Sequence, residues 1–291
     1  MGHFSPLLPQ FGFSSSVFFR GEFCGATDFL AAAGYGQIHV IRGGRVIMHH
    51  PDRESIEVDT PTLMFYPRPL DHRLVVPPGS KADLLCANVT FRRSANNPVS
   101  SALPDVMQVP LAGLKGLEST LTLMLEENAG EDDLGKAFVL DHLCDVLVIH
   151  VIRYAHAAGL VKLGTLAGLA DARLALALEA VHDDPGRPWP VAEMARHAGM
   201  SRSAFISRFR EVVGTSPAEY VLNWRLDLAE RHLEEGRSVK DVARTVGYAN
   251  QPAFTRAFAA RRGIPPTEWL RRCLKAPQDG PAQQNGQTQA D

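Results

Sequence analysis

Two short stretches near the carboxyl end carry the side chains best suited to reading a hydrogen-bond pattern. The first holds Ser201, Arg202, Ser203, Ile206, Ser207 and Arg210; the second is the stretch 250–256. Arginine donates two parallel hydrogen bonds to guanine, Asn and Gln bond the edge of adenine, and Ile206, Pro252 or Ala253 can touch a thymine methyl. The same polar groups can equally spend their bonds on phosphate or water. A second set is nucleophilic or metal-ligating in type: Cys24, Cys86, Cys144 and Cys273, with His39, His49, His50 and His72 gathered in one stretch. The cysteines are widely scattered and lack a zinc-binding spacing. Neighbours on a strand point to opposite faces, which separates His49 from His50. No paired carboxylates or activated nucleophile are recognisable, so no metal, cofactor or enzymatic activity is expected.

The elements that must present the first set are written twice. Val191, Ala195 and Gly199 match Val239, Ala243 and Gly247 at an offset of 48, and Phe205, Phe209, Gly214, Pro217 and Tyr220 match Phe254, Phe258, Gly263, Pro266 and Trp269 at 49. One extra residue therefore lies in the second turn. A small Ala lets a second helix cross close to the first, and Gly supplies the positive φ of a sharp turn. Two Phe four residues apart share one helix face and anchor it, which frees the opposite face. Ser216-Pro217 with Glu219, and Ser238 with Asp241, read as helix starts, so a helix over 216–235 joins the two copies. One such pattern is an ordinary helical hairpin; two in register predict a pair of helix-turn-helix units.

Charge is segregated in the same way. Residues 185–275 hold 16 Lys and Arg against 9 Asp and Glu, a net of +7, whereas residues 1–184 carry a net of -7. A basic segment beside an acidic one points to a polyanionic partner for the former. The hydrophobic share of 45% is ordinary for a globular chain. No apolar run is long enough to span a membrane, and the amino terminus lacks a secretory pattern, so a cytoplasmic location without membrane contact is expected.

Upstream, short apolar runs separated by Gly and Pro turns predict β-structure to about Phe91, with a hairpin-like turn at Arg42-Gly43-Gly44-Arg45. The period becomes helical from about Gly116. Asp133 is placed to cap a long helix to His156 that is apolar on more than one face, and a further helix is expected from Asp171 to His182. The expected domains are 1–115, a sensor; 116–170, a helical linker or dimerisation region; 171–275, the paired helical units; and 276–291, a disordered tail.

The segment from Trp189 to Leu270 resembles the DNA-binding domain of the AraC/XylS family. The likeness rests on Gly199-Met-Ser-Arg202, Ser216-Pro217 with Tyr220, Arg225-Leu226 with Ala229, and Val246-Gly247-Tyr248. More loosely, Tyr66-Pro67-Arg68, His72-Arg73-Leu74 and Leu84-Leu85-Cys86 resemble the cupin-type sensor of one branch of that family. The resemblance implies an α+β chain: a cupin-like β-barrel with a helical extension, then an all-α domain of two helix-turn-helix units. It further implies a homodimeric activator that binds double-stranded DNA at two successive major grooves and acts with RNA polymerase, with Asn250, Gln251, Pro252, Ala253 and Arg256 at the groove-facing positions of the second unit. The cupin enzyme motif, two His one residue apart with a downstream Glu and His, is missing. Two inputs stay open: thiol oxidation at Cys24 and Cys86, both in or beside strands, or a small effector near Phe18, Phe19, Phe65 and Tyr66. A cupin enzyme with a helical accessory domain and a nonspecific chromosome-packaging protein are the competing classes.

Overall fold

The computed structural model describes residues 12–92, 97–113, 116–129, 134–161 and 163–275. The expected tail at 276–291 and the expected cap Asp133 lie outside the described residues. The chain divides into two units, one within 11–162 and one from Leu163 onward.

Among the described residues of the first unit, nine antiparallel strands form two sheets. They are β1 (Phe13–Phe23), β2 (Gly25–Phe29), β3 (Gly36–Gly43), β4 (Val46–His50), β5 (Arg53–Val58), β6 (Thr62–Tyr66), β7 (His72–Val76), β8 (Ala82–Phe91) and β9 (Met107–Pro110). The five-stranded sheet runs β1-β8-β3-β6-β9 and the four-stranded sheet β2-β7-β4-β5. Alternation along each strand sends Ile41, Met64, Tyr66, Leu84 and Cys86 from one sheet, and Val46, Met48, Val58, Leu74 and Val76 from the other, into one core. The cupin-like domain is therefore a two-sheet sandwich rather than one continuous closed ladder.

One local expectation is corrected here. β3 and β4 do not pair across the Arg42–Arg45 turn. β3 bonds β6 and β8, while β4 bonds β5 and β7, so the turn carries the chain from one sheet to the other. Gly44, at φ 88, permits that corner and passes so close to the backbone of Lys81 and Ala82 that a side chain there would collide.

Helices α1 (Leu117–Ala129) and α2 (Lys136–Ala157) complete the unit. β1 is an edge strand, and the carboxylates of α2 satisfy amides along it. Asp145 accepts from the amide of Ser15 at 2.8 Å and from its hydroxyl at 2.7 Å; one turn earlier, Asp141 accepts from the amide of Val17 at 2.8 Å. α2 buries Leu140, Cys144, Leu147, Val148, Val151 and Ala155, yet leaves Phe138 67% exposed beside exposed Val139 and Val146.

The second unit is helical: α3 (Thr165–Ala170), α4 (Leu174–Asp183), α5 (Val191–His197), α6 (Arg202–Val213), α7 (Pro217–Glu234), α8 (Val239–Thr245), α9 (Gln251–Arg262) and α10 (Pro266–Lys275). Asp171 precedes α4 and accepts from the amides of Arg173 and Leu174, which places its start three residues later than the sequence suggested. Ser216 and Ser238 cap α7 and α8 by accepting from the amides of Glu219 and Asp241.

His182 at the end of α4 lies under α7. Its ring stacks on Trp224 at 3.6 Å, Nε2 sits 2.6 Å from the Tyr220 hydroxyl, and Nδ1 is buried without a partner among the described residues. Burial pulls its pKa down to about 3. The unfolded chain binds this proton near the ordinary value of about 6.5, and the native state resists it until far lower. Stability therefore falls as pH drops below that value, by at most about 1.4 kcal/mol per pH unit for one such group. Denaturant titrations between pH 7 and 4.5 should show a steeper loss for the native chain than for His182→Phe. Parallel losses would remove His182 as the cause.

Candidate nucleic-acid interface

Each of α6 and α9 is held by a matched set of aromatic contacts. Phe205 and Phe209 are fully buried with ring centres 5.4 Å apart, and Phe254 and Phe258 likewise at 5.6 Å. Tyr220 meets Phe209 edge-on at 5.5 Å, and its counterpart Trp269 meets Phe258 edge-on at 6.0 Å. The sequence repeat is thus a repeat of packing. Fully burying one Phe is worth about 1.5–3 kcal/mol, so rolling either helix over would be costly.

With those rings turned inward, the opposite faces are open. Arg202, Ser203, Ser207 and Arg210 on α6 are exposed, with Ile206 half-buried at the margin; on α9, Gln251, Pro252 and Arg256 are exposed and Ala253 is half-buried. Two of the singled-out residues serve the helices themselves. Ser201 caps α6, accepting from the Ala204 amide at 3.3 Å, and Asn250 caps α9, its Oδ1 accepting from the Ala253 amide at 2.9 Å. That bond occupies the acceptor of Asn250 and leaves its amide N–H groups as donors. Arg208 points elsewhere: it pairs with Asp171 at 2.9 Å and Glu211 at 3.1 Å, tying α6 to the start of α4 beside a surface cleft of about 400 Å³.

A further matched pair escaped the sequence reading. Arg196 and Arg244 occupy the last turns of α5 and α8, the first helix of each unit, and both are exposed. Their equivalence at an offset of 48 was visible in the repeat, but exposure was needed to give it meaning. Such arginines, beside the reading helices, are suited to phosphate rather than base contacts.

The first unit holds a polar chain within its apolar core. His72 Nδ1 lies 2.7 Å from the Leu70 carbonyl, which can only accept, so that nitrogen carries a proton. In neutral His72, Nε2 must then accept from His39 Nε2 at 3.0 Å, which leaves His39 Nδ1 to accept from the Cys86 thiol at 3.2 Å. Burial keeps all three groups neutral. It lowers His39 well below its ordinary value, with His72 adding to the effect, brings His72 down to about 4, and pushes the Cys86 thiol up. Tyr66 stacks on His72 at 3.8 Å, and His50 Nε2 lies 3.0 Å from the Tyr66 hydroxyl. Among the described residues, no group of three or more His, Cys, Asp or Glu is arranged to hold a metal.

The structure separates residues that the sequence grouped. Cys86 pairs with Phe19 across β1 and β8, whereas exposed Cys24 lies beyond the Phe23–Ala82 pair. Five residues of strand put the two Cα positions roughly 16 Å apart, against the Cα separation of about 7 Å or less that a disulfide requires. The expectation that they approach each other is corrected accordingly. The proposed effector aromatics also diverge. Phe65 and Tyr66 are successive on β6 and face opposite sides, only Tyr66 reaching the inter-sheet core; Phe19 packs at its margin, and Phe18, at a break in register, is 46% exposed. They do not line one cavity.

Comparison with known proteins bears on both units. A family model described as a cupin matches residues 3–157, and one described as a helix-turn-helix domain matches residues 194–272. A protein of Streptomyces lividans, named as AraC-like, is 32% identical over 195 residues, which is 66% of this chain and 64% of that protein. This chain thus aligns with less than two thirds of that relative's length. The transcriptional activator RclR of Escherichia coli, named as RCS-specific, is 24% identical over 84% of this chain and 89% of its own. Among solved structures, the DNA-binding domain of AdpA in complex with a target DNA is 27% identical over 35% of this chain and 95% of its own, with a TM-score of 0.33. These relatives are named as transcription factors or regulators, not as enzymes. With a cupin match over more than half of the chain and a helix-turn-helix match behind it, the chain belongs to the AraC family of DNA-binding transcription regulators.

Proposed function

We propose that the chain activates transcription by placing α6 and α9 in two successive major grooves of one DNA duplex. The observation that carries this reading is the duplicated anchor, which presents two polar helix faces from one basic segment. Successive grooves on one face of DNA lie about 34 Å apart, and the 18-residue α7 between the units spans roughly 27 Å. One copy would therefore recognise an asymmetric site of two short boxes. Arg202, Ser203, Ile206, Ser207 and Arg210 would face the first box, and Gln251, Pro252, Ala253 and Arg256 the second. Ser201 and Asn250, engaged as caps, are assigned to support; the free donors of Asn250 suit a phosphate better than the two-sided edge of adenine.

The name of RclR as an activator supports activation, and the family resemblance implies RNA polymerase as a further partner. Exposed Phe138, Val139 and Val146 on α2, with Leu123 on α1, support pairing with a second copy in the 116–170 region, ahead of a DNA-binding domain at 171–275. No helix among the described residues is long and apolar enough to cross a membrane.

For the input we favour thiol oxidation over an effector in the sandwich, because the four aromatics do not converge while Cys86 is wired into the histidine chain. Cys24 is exposed but lies too far from Cys86 to pair with it, and Cys86 is buried with its thiol held protonated, so oxidation there requires local opening of the sandwich first. If Cys86 loses its proton donor role, His39 Nδ1 is left buried and unpartnered, at a cost of about 1–3 kcal/mol to the core.

Selection of sites from random DNA by the full chain, with mapping of genomic sites, tests the main reading: two boxes one helical turn apart are expected, and a single box or no preference would overturn it. Within such a site, Arg256→Ala should cost about 1–3 kcal/mol on cognate DNA and much less on random DNA. Equal losses would assign Arg256 to phosphate. Asn250→Ser, which keeps a cap oxygen, should leave base preferences in the second box unchanged, whereas Gln251→Ala should relax one of them. For the input, treatment with hydrogen peroxide should change the affinity of the native chain for its site but not that of Cys86→Ser. A response that persists when both Cys24 and Cys86 are replaced would exclude these thiols.

A further inference from the structure

The segment between α4 and α5, residues 184–189, lies along α7 as a strap. Arg225 of α7 donates from Nε to the Pro185 carbonyl and from a terminal nitrogen to the Arg187 carbonyl, both at 2.7 Å. The strap is also closed on itself, with the buried Trp189 indole donating to the Asp184 carbonyl at 2.8 Å. On one side it grips the first helix-turn-helix unit: Arg187 pairs with Glu193 of α5, and Trp189 meets His197 edge-on at 5.5 Å. On the other side it touches the second unit backbone to backbone. A Cβ placed on Gly186 would come within 2.8 Å of the Thr245 carbonyl, and one placed on Gly247 would strike the Gly186 carbonyl.

The residue choices follow from this contact. Gly247, at φ 82, is required by the turn after α8 in any case. Gly186 does not adopt a left-handed φ, so its missing side chain serves the close approach alone. Arg225 is half-buried, and both of its described bonds go to main-chain carbonyls rather than to a carboxylate. Two carbonyls two residues apart suit the rigid fork of a guanidinium, and an ammonium cannot span them in the same way.

We propose that the strap, clamped by Arg225 and seated through Gly186, fixes the second helix-turn-helix unit relative to the first, so that these two residues set the spacing between the DNA boxes the protein accepts. Both are positioning residues and neither touches DNA. The proposal rests on the two-groove reading above. A bivalent binder gains its affinity only where its geometry lets both modules engage together. Arg262 also ties α9 to Asp227 and Glu230 of α7, so releasing the strap loosens the second unit without detaching it.

The test uses the full chain and its selected site, with the boxes at native spacing, with 1–3 base pairs inserted or deleted between them, and with either box scrambled. The native chain should lose about a hundredfold in affinity when spacing is wrong. Arg225→Ala and Gly186→Ala should bind the native spacing several-fold more weakly and show a much smaller spacing penalty, with half-site affinities unchanged. Arg225→Lys should resemble Arg225→Ala. Variants that keep the full native spacing penalty would overturn the proposal, as would variants that lose half-site binding in equal measure, which marks a general folding defect. Native protein indifferent to scrambling of one box would instead overturn the two-groove reading itself.

Discussion

The burial of two aromatic pairs, Phe205 with Phe209 and Phe254 with Phe258, is the constraint on which the rest of the C-terminal unit depends. A short helix in water has little stability of its own and takes most of it from packing one face. Each recognition helix here is 12 residues long, and its inward face is defined by two rings one turn apart. Once the rings are seated, the rotation of the helix is fixed, and with it the set of side chains that faces outward. Tyr220 and Trp269 reinforce the choice by meeting the second ring of each pair edge-on, a geometry favoured by the ring quadrupoles. Polar recognition on one face is thus a consequence of apolar packing on the other.

That dependence explains why this half of the molecule was legible in the sequence. Ala195 and Ala243, Gly199 and Gly247, and the Phe pairs encode contacts within a span of roughly twenty residues, the scale on which helical periodicity carries information. The sheet region is different. Strands β3 to β8 were visible as apolar or alternating runs, but which strand pairs with which depends on partners up to about eighty residues away. The corner at Gly44 looked like a hairpin because turn chemistry is local, and the exchange of sheets is not. The same limit applied to Cys24 and Cys86: both were placed near strands correctly, yet their separation follows from register alone. Asn250 and Ser201 show a subtler limit, since residues suited to bases are also good helix caps, and their bonds to the amides of Ala253 and Ala204 depend on where each helix starts.

The interior of the sandwich shows how a polar chain can sit in an apolar core without charge. Burying an ionised imidazole or thiolate there would be costly, and burial accordingly biases both toward their neutral forms. What remains is a directional series from the Cys86 thiol through His39 and His72 to the Leu70 carbonyl, each member satisfied only if the others keep their protons in place. Such a series makes the core sensitive to chemistry at its ends. The carbonyl end is fixed main chain, and the thiol end is buried and held in its protonated form.

Charge in the C-terminal unit is sorted by the same logic of prior engagement. The +7 excess read from the sequence does not spread evenly over its arginines. Arg208, Arg261 and Arg262 are bound to Asp171, Glu219, and Asp227 with Glu230, where they hold helices together and contribute little to an outside field. Arg225 is taken up by the strap. Arg196, Arg202, Arg210 and Arg256, by contrast, are exposed and form no ion pair among the described residues. The carboxylates therefore pair with several arginines that hold helices together and leave Arg196, Arg202, Arg210 and Arg256 without an ion pair among the described residues, whereas flanking Arg244 pairs with Asp241 at 3.4 Å. A polyanion approaching the unit would meet uncompensated positive charge at the outward faces of α6 and α9. The steering field and the recognition surface coincide because both are what packing leaves over.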